Sequence, residues 1–149
     1  MMMSPFDLKT VLLAKHAQHV VLIHFPIALF LAGVVFHFLS RWSKQRQLAT
    51  VAYYNILAAA LTTLPALLTG ILAWHFALES QKLKGILLMH LALGWVSSVL
   101  IWTVAILHFR AHRRPLAYVS RYCLALEACA AAALMVTAHL GGFLSGVNS

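Results

Sequence analysis

Acidic residues are nearly missing from this chain: Asp7, Glu79 and Glu127 are the only three in 149 residues. Charged residues of both signs make up 9% of the sequence, against 62% hydrophobic residues. A soluble domain of this length cannot hide that much apolar surface, so a water-facing globule is excluded and an integral membrane protein is expected. Cysteine is scarcer still. Cys123 and Cys129 lie six residues apart on one apolar segment. On a helix they are turned from each other by roughly 240°, which excludes a bridge between them. No CxxC or CxxCH is present, which argues against a thiol redox site and against covalently attached haem. Low-complexity tracts and convincing internal repeats are also missing. The first apolar run begins near Val20, is too long for a signal-peptide core and lacks a small-residue cleavage site, so an uncleaved first span is expected.

What is present is four long apolar stretches, at approximately 20–39, 49–74, 85–107 and 116–139. Each is long enough to cross a hydrocarbon core of roughly 30 Å. Short connections make neighbouring helices antiparallel. The expectation is an all-α fold: one domain over 1–149, an integral membrane antiparallel four-helix bundle. Ahead of the first span, Ser4 reads as a helix N-cap, Pro5 as the first helical residue and Asp7 as a complement to the helix dipole. Phe6, Leu8, Val11, Leu12 and Leu13 follow as an apolar side. This segment reads as a short N-terminal interfacial helix, or as an extension of the first span.

The formal net charge of +8 comes from residues gathered between the spans, and is not read as nucleic-acid binding. Arg41, Lys44 and Arg46 lie in the first connection, and Arg110, Arg113 and Arg114 in the third. Lys9, Lys15, Lys82 and Lys84 lie on the other side, offset by Asp7 and Glu79. The positive-inside tendency puts the first and third connections in the cytoplasm and both termini outside.

Histidine carries the chemistry. His24, His75, His90 and His139 sit near the same membrane face, each on a different span. Ionisable residues in a bilayer are expensive and presumed functional, and histidine is the commonest metal ligand. Depths counted at about 1.5 Å per residue match His24 with His90, on opposite spans of the bundle, and place His75 and His139 nearer the surface. Two neutral imidazoles across a bundle are what a six-coordinate haem iron requires, and they equally suit a bare transition metal. Gly94, one turn from His90, leaves room for a flat macrocycle. Ala125, Ala128, Ala132 and His139 recur at helical spacing as a small-residue groove, which is also the pattern of close helix packing. His16, His19 and His112 read as interfacial. His37 and His108, toward the inner face, read as snorkelling or hydrogen-bonded side chains, with a second inner haem as the alternative.

Three further features stand out. Glu127 near the centre of the fourth span is either a functional carboxyl or one hydrogen-bonded to another helix, through Asn55, Thr62 or Ser97. Pro65 is expected to bend the second span. Met135 reads as packing rather than as a ligand.

His19-x4-His24-Phe25-Pro26-Ile27-Ala28-Leu29 resembles the opening of a family of small bacterial four-helix membrane proteins known as a domain of unknown function. Gly70-Ile71-Leu72-Ala73-Trp74 is similar to that family's end of helix two, and His90 matches the histidine opening helix three. Thr137-Ala138-His139-Leu140-Gly141-Gly142 resembles the TGHxGG ending of members similar to b-type cytochrome domains. Val20 and Ala73 depart from the pattern, standing where the family often has proline and aspartate. The resemblance spans nearly the whole chain and implies a four-helix fold and haem binding.

The expected function is a membrane-anchored b-type cytochrome in the bacterial cytoplasmic (inner) membrane, an electron carrier rather than a catalyst. It would hold haem b, one or two, through paired histidines drawn from His24, His90 and His139, with His75 as the fourth. Electrons would pass between a quinone or other redox partner, such as a c-type cytochrome, and an extracytoplasmic acceptor. The alternatives are a transition-metal-binding or transport protein using His19, His24, His90 and His139, and a structural subunit of a respiratory complex.

Overall fold

The computed structural model describes residues 15–76, 84–113 and 121–145. They form α1 (Lys15–Leu22), α2 (His24–Ser43), α3 (Arg46–Phe76), α4 (Gly85–His112) and α5 (Arg121–Leu144). There is no strand among the described residues. The interfacial helix expected near residues 4–13 lies outside them.

Helices α1 and α2 are two parts of one apolar stretch broken at Ile23. Pro26 explains the break. Its ring nitrogen cannot donate to the carbonyl of Leu22, and its ring crowds that carbonyl. The neighbouring Ile27 N–H to Ile23 carbonyl bond is long at 3.4 Å. Gln18–Ser43 forms the first candidate span, followed by Arg46–His75, Gly85–His112 and Tyr122–Leu144. The first two expected stretches lie inside longer helices, the third shares its start with a helix that runs on to His112, and the fourth stops five residues short of Leu144, its first five residues lying outside the described ones. Pro65 lies inside α3, which continues through it. Between α2 and α3 the chain reverses over two residues, with Lys44 in the left-handed region at φ 57°. Gly85 opens α4 at φ +56°, a conformation that a side chain would strain.

Each span packs on its neighbours in sequence, and α2 also packs on α5. The four therefore form a ring in which spans one and three face each other across one diagonal and spans two and four across the other. The closest approach is at Gly33, where an added Cβ would lie 2.6 Å from Ile56 Cγ1 and 3.2 Å from the Ile56 backbone nitrogen. Small residues of this kind let helix backbones approach closely without an intervening hydrophobic layer.

Apolar side chains face both ways, with Phe30, Ile56, Ile101 and Val104 in a buried core. Large apolar side chains such as Val35, Leu61, Leu64, Leu68, Val99 and Val136 point outward. His37, Thr63, Ser97, Ser98, His108, Glu127 and Thr137 are buried within the bundle. A hydrocarbon surrounding accepts the former and penalises the latter unless they find partners. They do. Trp102 Nε1 donates to Thr63 Oγ1 at 3.1 Å, and the Ser97 and Thr137 hydroxyls meet at 3.2 Å.

On α5 the inward row is Cys123, Glu127, Ala130, Leu134 and Thr137, all buried. Their alternating spacing of four and three is that of a helix seam facing partner helices. This corrects the expected groove: Ala125, Ala128, Ala132 and His139 are exposed on the other side of the helix. The buried Glu127 and Thr137, not His139, determine which side turns in.

Candidate functional site

Four histidines meet in pairs, one pair at each end of the bundle. His19 and His37 are eighteen residues apart in span one, and His90 and His108 are eighteen apart in span three. Eighteen residues are five complete helical turns, so each helix presents both its histidines on one face. Because spans one and three are diagonal, their faces meet twice, about 27 Å apart along the axis at 1.5 Å per residue.

At the end that holds the start of α4, the rings of His19 and His90 stand 6.3 Å apart between centroids, nearly perpendicular at 80°. Both Nδ1 atoms are tied to backbone. His19 Nδ1 donates to the Ala66 carbonyl at 3.1 Å and lies 3.3 Å from Thr69 Oγ1. His90 Nδ1 donates to the Thr137 carbonyl at 2.9 Å. A carbonyl accepts only, so the proton sits on Nδ1 and the neutral ring carries its lone pair on Nε2. Metal-ligating histidines are commonly held this way, by a carbonyl that fixes tautomer and orientation.

One local device serves both rings. Each ring reaches a carbonyl in the middle of a helix, and four residues beyond that carbonyl stands a glycine. An added Cβ on Gly70 would lie 2.9 Å from His19 Cε1, and one on Gly141 would lie 3.1 Å from His90 Cε1. The imidazoles come from one diagonal of the bundle and the supports, on α3 and α5, from the other.

Beside this pair lies a cavity of about 150 Å³, lined by His19 and His90. Its walls include the small residues Ala66, Gly70, Ala73, Gly94, Ala138 and Gly141. Among the residues expected to hold a cofactor, His90 and Gly94 line it and the others do not. His24 is exposed, its Nδ1 bonded at 2.7 Å to the carbonyl of Val20 in its own helical stretch. It does not face His90, because five residues on it is turned by roughly 140° around the helix from His19, which takes the inward position. His139 is exposed and edges onto Phe143 at 5.0 Å, and His75 is exposed at the end of α3. Neither turns into the bundle, so they do not face each other. His19, expected to be interfacial, is the partner of His90. The common eighteen-residue spacing is the signal that could have found it.

At the opposite end, His37 from α2 and His108 from α4 are both buried around Glu127 of α5, which is completely buried. His37 Nδ1 donates to the two carboxylate oxygens at 2.7 and 2.9 Å, and His108 Nε2 donates to Oε1 at 2.7 Å. The Cys123 thiol lies 3.4 Å from Oε1, one turn before. These are the partners of Glu127, in place of Asn55, Thr62 or Ser97. The two rings are 4.7 Å apart between centroids. Two imidazoles sharing one iron through Nε2 stand roughly 6 Å apart, with metal–nitrogen bonds of about 2 Å. The inner rings stand closer than that, and the 6.3 Å between His19 and His90 is near it.

No curated protein and no solved structure matches the chain. A family model described as "Predicted membrane protein (DUF2231)" matches residues 15–147, which takes in all four spans and both histidine pairs. The chain belongs to this family of membrane proteins of unknown function.

Proposed function

We propose that this protein is a membrane-anchored electron carrier of the b-type cytochrome kind, with one haem b held between His19 and His90. The observation that carries the reading is the pair itself: 6.3 Å between centroids, with each Nδ1 bound to a carbonyl and each ring set against a glycine. Haem bound there supplies one-electron chemistry, and the protein's levers on its potential are the two imidazoles, their carbonyl partners and burial. His19 and His90 bind, Ala66 and Thr137 orient them, and the apolar walls exclude water. A cavity of about 150 Å³ is the size that holds a benzene-sized body. A macrocycle would therefore have to displace lining side chains such as Leu67 and Leu87.

That volume favours one second reading, a bare transition-metal ion held by the same pair. In either case the orientation follows from charge. Arg41, Lys44, Arg46, Arg110 and Arg113 gather at the end where α2 and α4 finish. In a bacterial inner membrane this end faces the cytoplasm, and the His19–His90 site lies near the outer face, within reach of a quinone or an extracytoplasmic cytochrome.

The test is an absorption spectrum of protein purified from a haem-supplied host, oxidised and then reduced with dithionite. A Soret band that shifts on reduction, and is lost in His19→Ala and in His90→Ala, is expected. A chain without such a band is not a cytochrome, and metal analysis of the same sample then decides the ion. A spectrum unaltered in both variants would remove the pair from the site.

A further inference from the structure

We propose that His37, His108 and Glu127 form a second site, which binds a divalent first-row transition-metal ion. This inference does not rest on the haem reading. It concerns other residues at the other end of the bundle.

Glu127 is the only carboxylate side chain among the described residues, and it is completely buried. A lone carboxylate inside a bilayer-spanning bundle is expensive, and such groups persist where a counter-charge or a function accompanies them. Its ion-pair partners are two imidazoles, drawn from two other helices. Two imidazoles and one carboxylate are the ligand types of the two-histidine, one-carboxylate sites that bind zinc and non-haem iron.

The geometry fits. One donor atom from each of the three residues lies within 4.8 Å of the others. Ligand atoms sharing a metal at about 2 Å sit roughly 3 Å apart, so the histidine–carboxylate contacts of 2.7 and 2.9 Å need to open by only a few tenths of an ångström, and the two imidazole nitrogens, within 4.8 Å of each other, turn toward the ion. The chemistry balances without loss of a proton. The ion takes the lone pairs of His37 Nδ1 and His108 Nε2 once each ring moves its proton to its other nitrogen. The carboxylate supplies the negative charge. The Cys123 thiol, 3.4 Å from Oε1, stays outside the three ligands as a contact to the carboxylate. Three protein ligands leave a coordination position open, as in zinc sites that bind water or substrate.

Access is short. His37 is six residues from the end of α2 and His108 four from the end of α4, which puts the site roughly 6–10 Å inside the bundle end.

The test is titration of the full-length protein in detergent with Co(II), after chelator treatment and dialysis. Expected are visible d–d bands that saturate at one equivalent, loss of those bands on adding Zn(II), and a Tm that rises with Co(II) concentration. His24→Ala, which removes an exposed histidine outside both pairs, should bind Co(II) as the wild type does. Glu127→Gln, which keeps an acceptor for both imidazoles, should bind about tenfold more weakly or worse. No saturable binding to the wild-type protein overturns the proposal, as does loss of binding in His24→Ala or unchanged affinity in Glu127→Gln. The first two outcomes decide it even if Glu127→Gln fails to fold.

Discussion

Two glycines decide what two histidines can do. An imidazole reaches a carbonyl on a neighbouring helix only where the residue one turn on has no Cβ, and Gly70 and Gly141 are those residues. Gly70→Val should push His19 off the Ala66 carbonyl and weaken cofactor binding by about tenfold to a hundredfold, with helical content unchanged. Haem titration of the apoprotein checks this, and an unchanged affinity would show that the close approach is not used. At Glu127 the balance is one of unmet donors. Glu127→Leu leaves the buried Nδ1–H of His37 and Nε2–H of His108 without their acceptor, and should lower stability by about 3 kcal/mol or more. Glu127→Gln should lose much less. Comparing the two variants in reversible unfolding from detergent separates the loss of hydrogen bonds from the loss of charge. Glu127 could be picked from the sequence as exceptional, because carboxylates are rare in spans. Its partners could not, because they lie on other helices.

At the scale of the helices, packing rests on close contact and on a few polar bonds across the bundle, since lipid offers no hydrophobic drive between spans. Gly33→Val should force α2 away from α3 and cost about 1–3 kcal/mol, as overpacking does. Ile56→Ala should restore part of that loss and not all. The nearest atom at 2.6 Å belongs to the Ile56 side chain, but the backbone nitrogen at 3.2 Å cannot retreat. A double-mutant comparison of unfolding free energies reads both numbers, and a full rescue would show that the backbone contact is unimportant. The helices themselves were plain in the sequence, because length and apolarity suffice to mark a span. Their inward faces were not. Span exteriors are as apolar as their cores, so the polar–apolar contrast that orients a soluble helix is weak, and only buried polar groups such as Ser97, His108 and Thr137 mark the inside. Reading α5 from His139 rather than from Glu127 and Thr137 turned the wrong face inward.

For the molecule as a whole, the two histidine pairs lie at opposite ends of one bundle, and the basic residues crowd one of those ends. That asymmetry makes orientation testable. In a background without Cys123 and Cys129, a cysteine at Ser43 should react with an impermeant thiol reagent only after the membrane is opened. A cysteine at Lys84 should react in intact cells. The reverse pattern would place the His19–His90 pair near the cytoplasm and rule out an extracytoplasmic partner for it.

Composition by itself determined that this chain crosses a membrane four times as helices, since a lipid surrounding leaves the backbone few other ways to satisfy its hydrogen bonds. Histidine content and placement marked it as a chain with ionisable groups to explain. Which histidines meet was decided only in the tertiary structure. Five residues apart, His19 and His24 are turned roughly 140° from each other, and packing puts His19 on the inward side; the diagonal arrangement brings His19 to His90 and His37 to His108. Glu127 joins the second pair from a third helix. Depth along a helix is a one-dimensional count that sequence supplies, whereas the direction of each ring depends on how four helices rotate against one another.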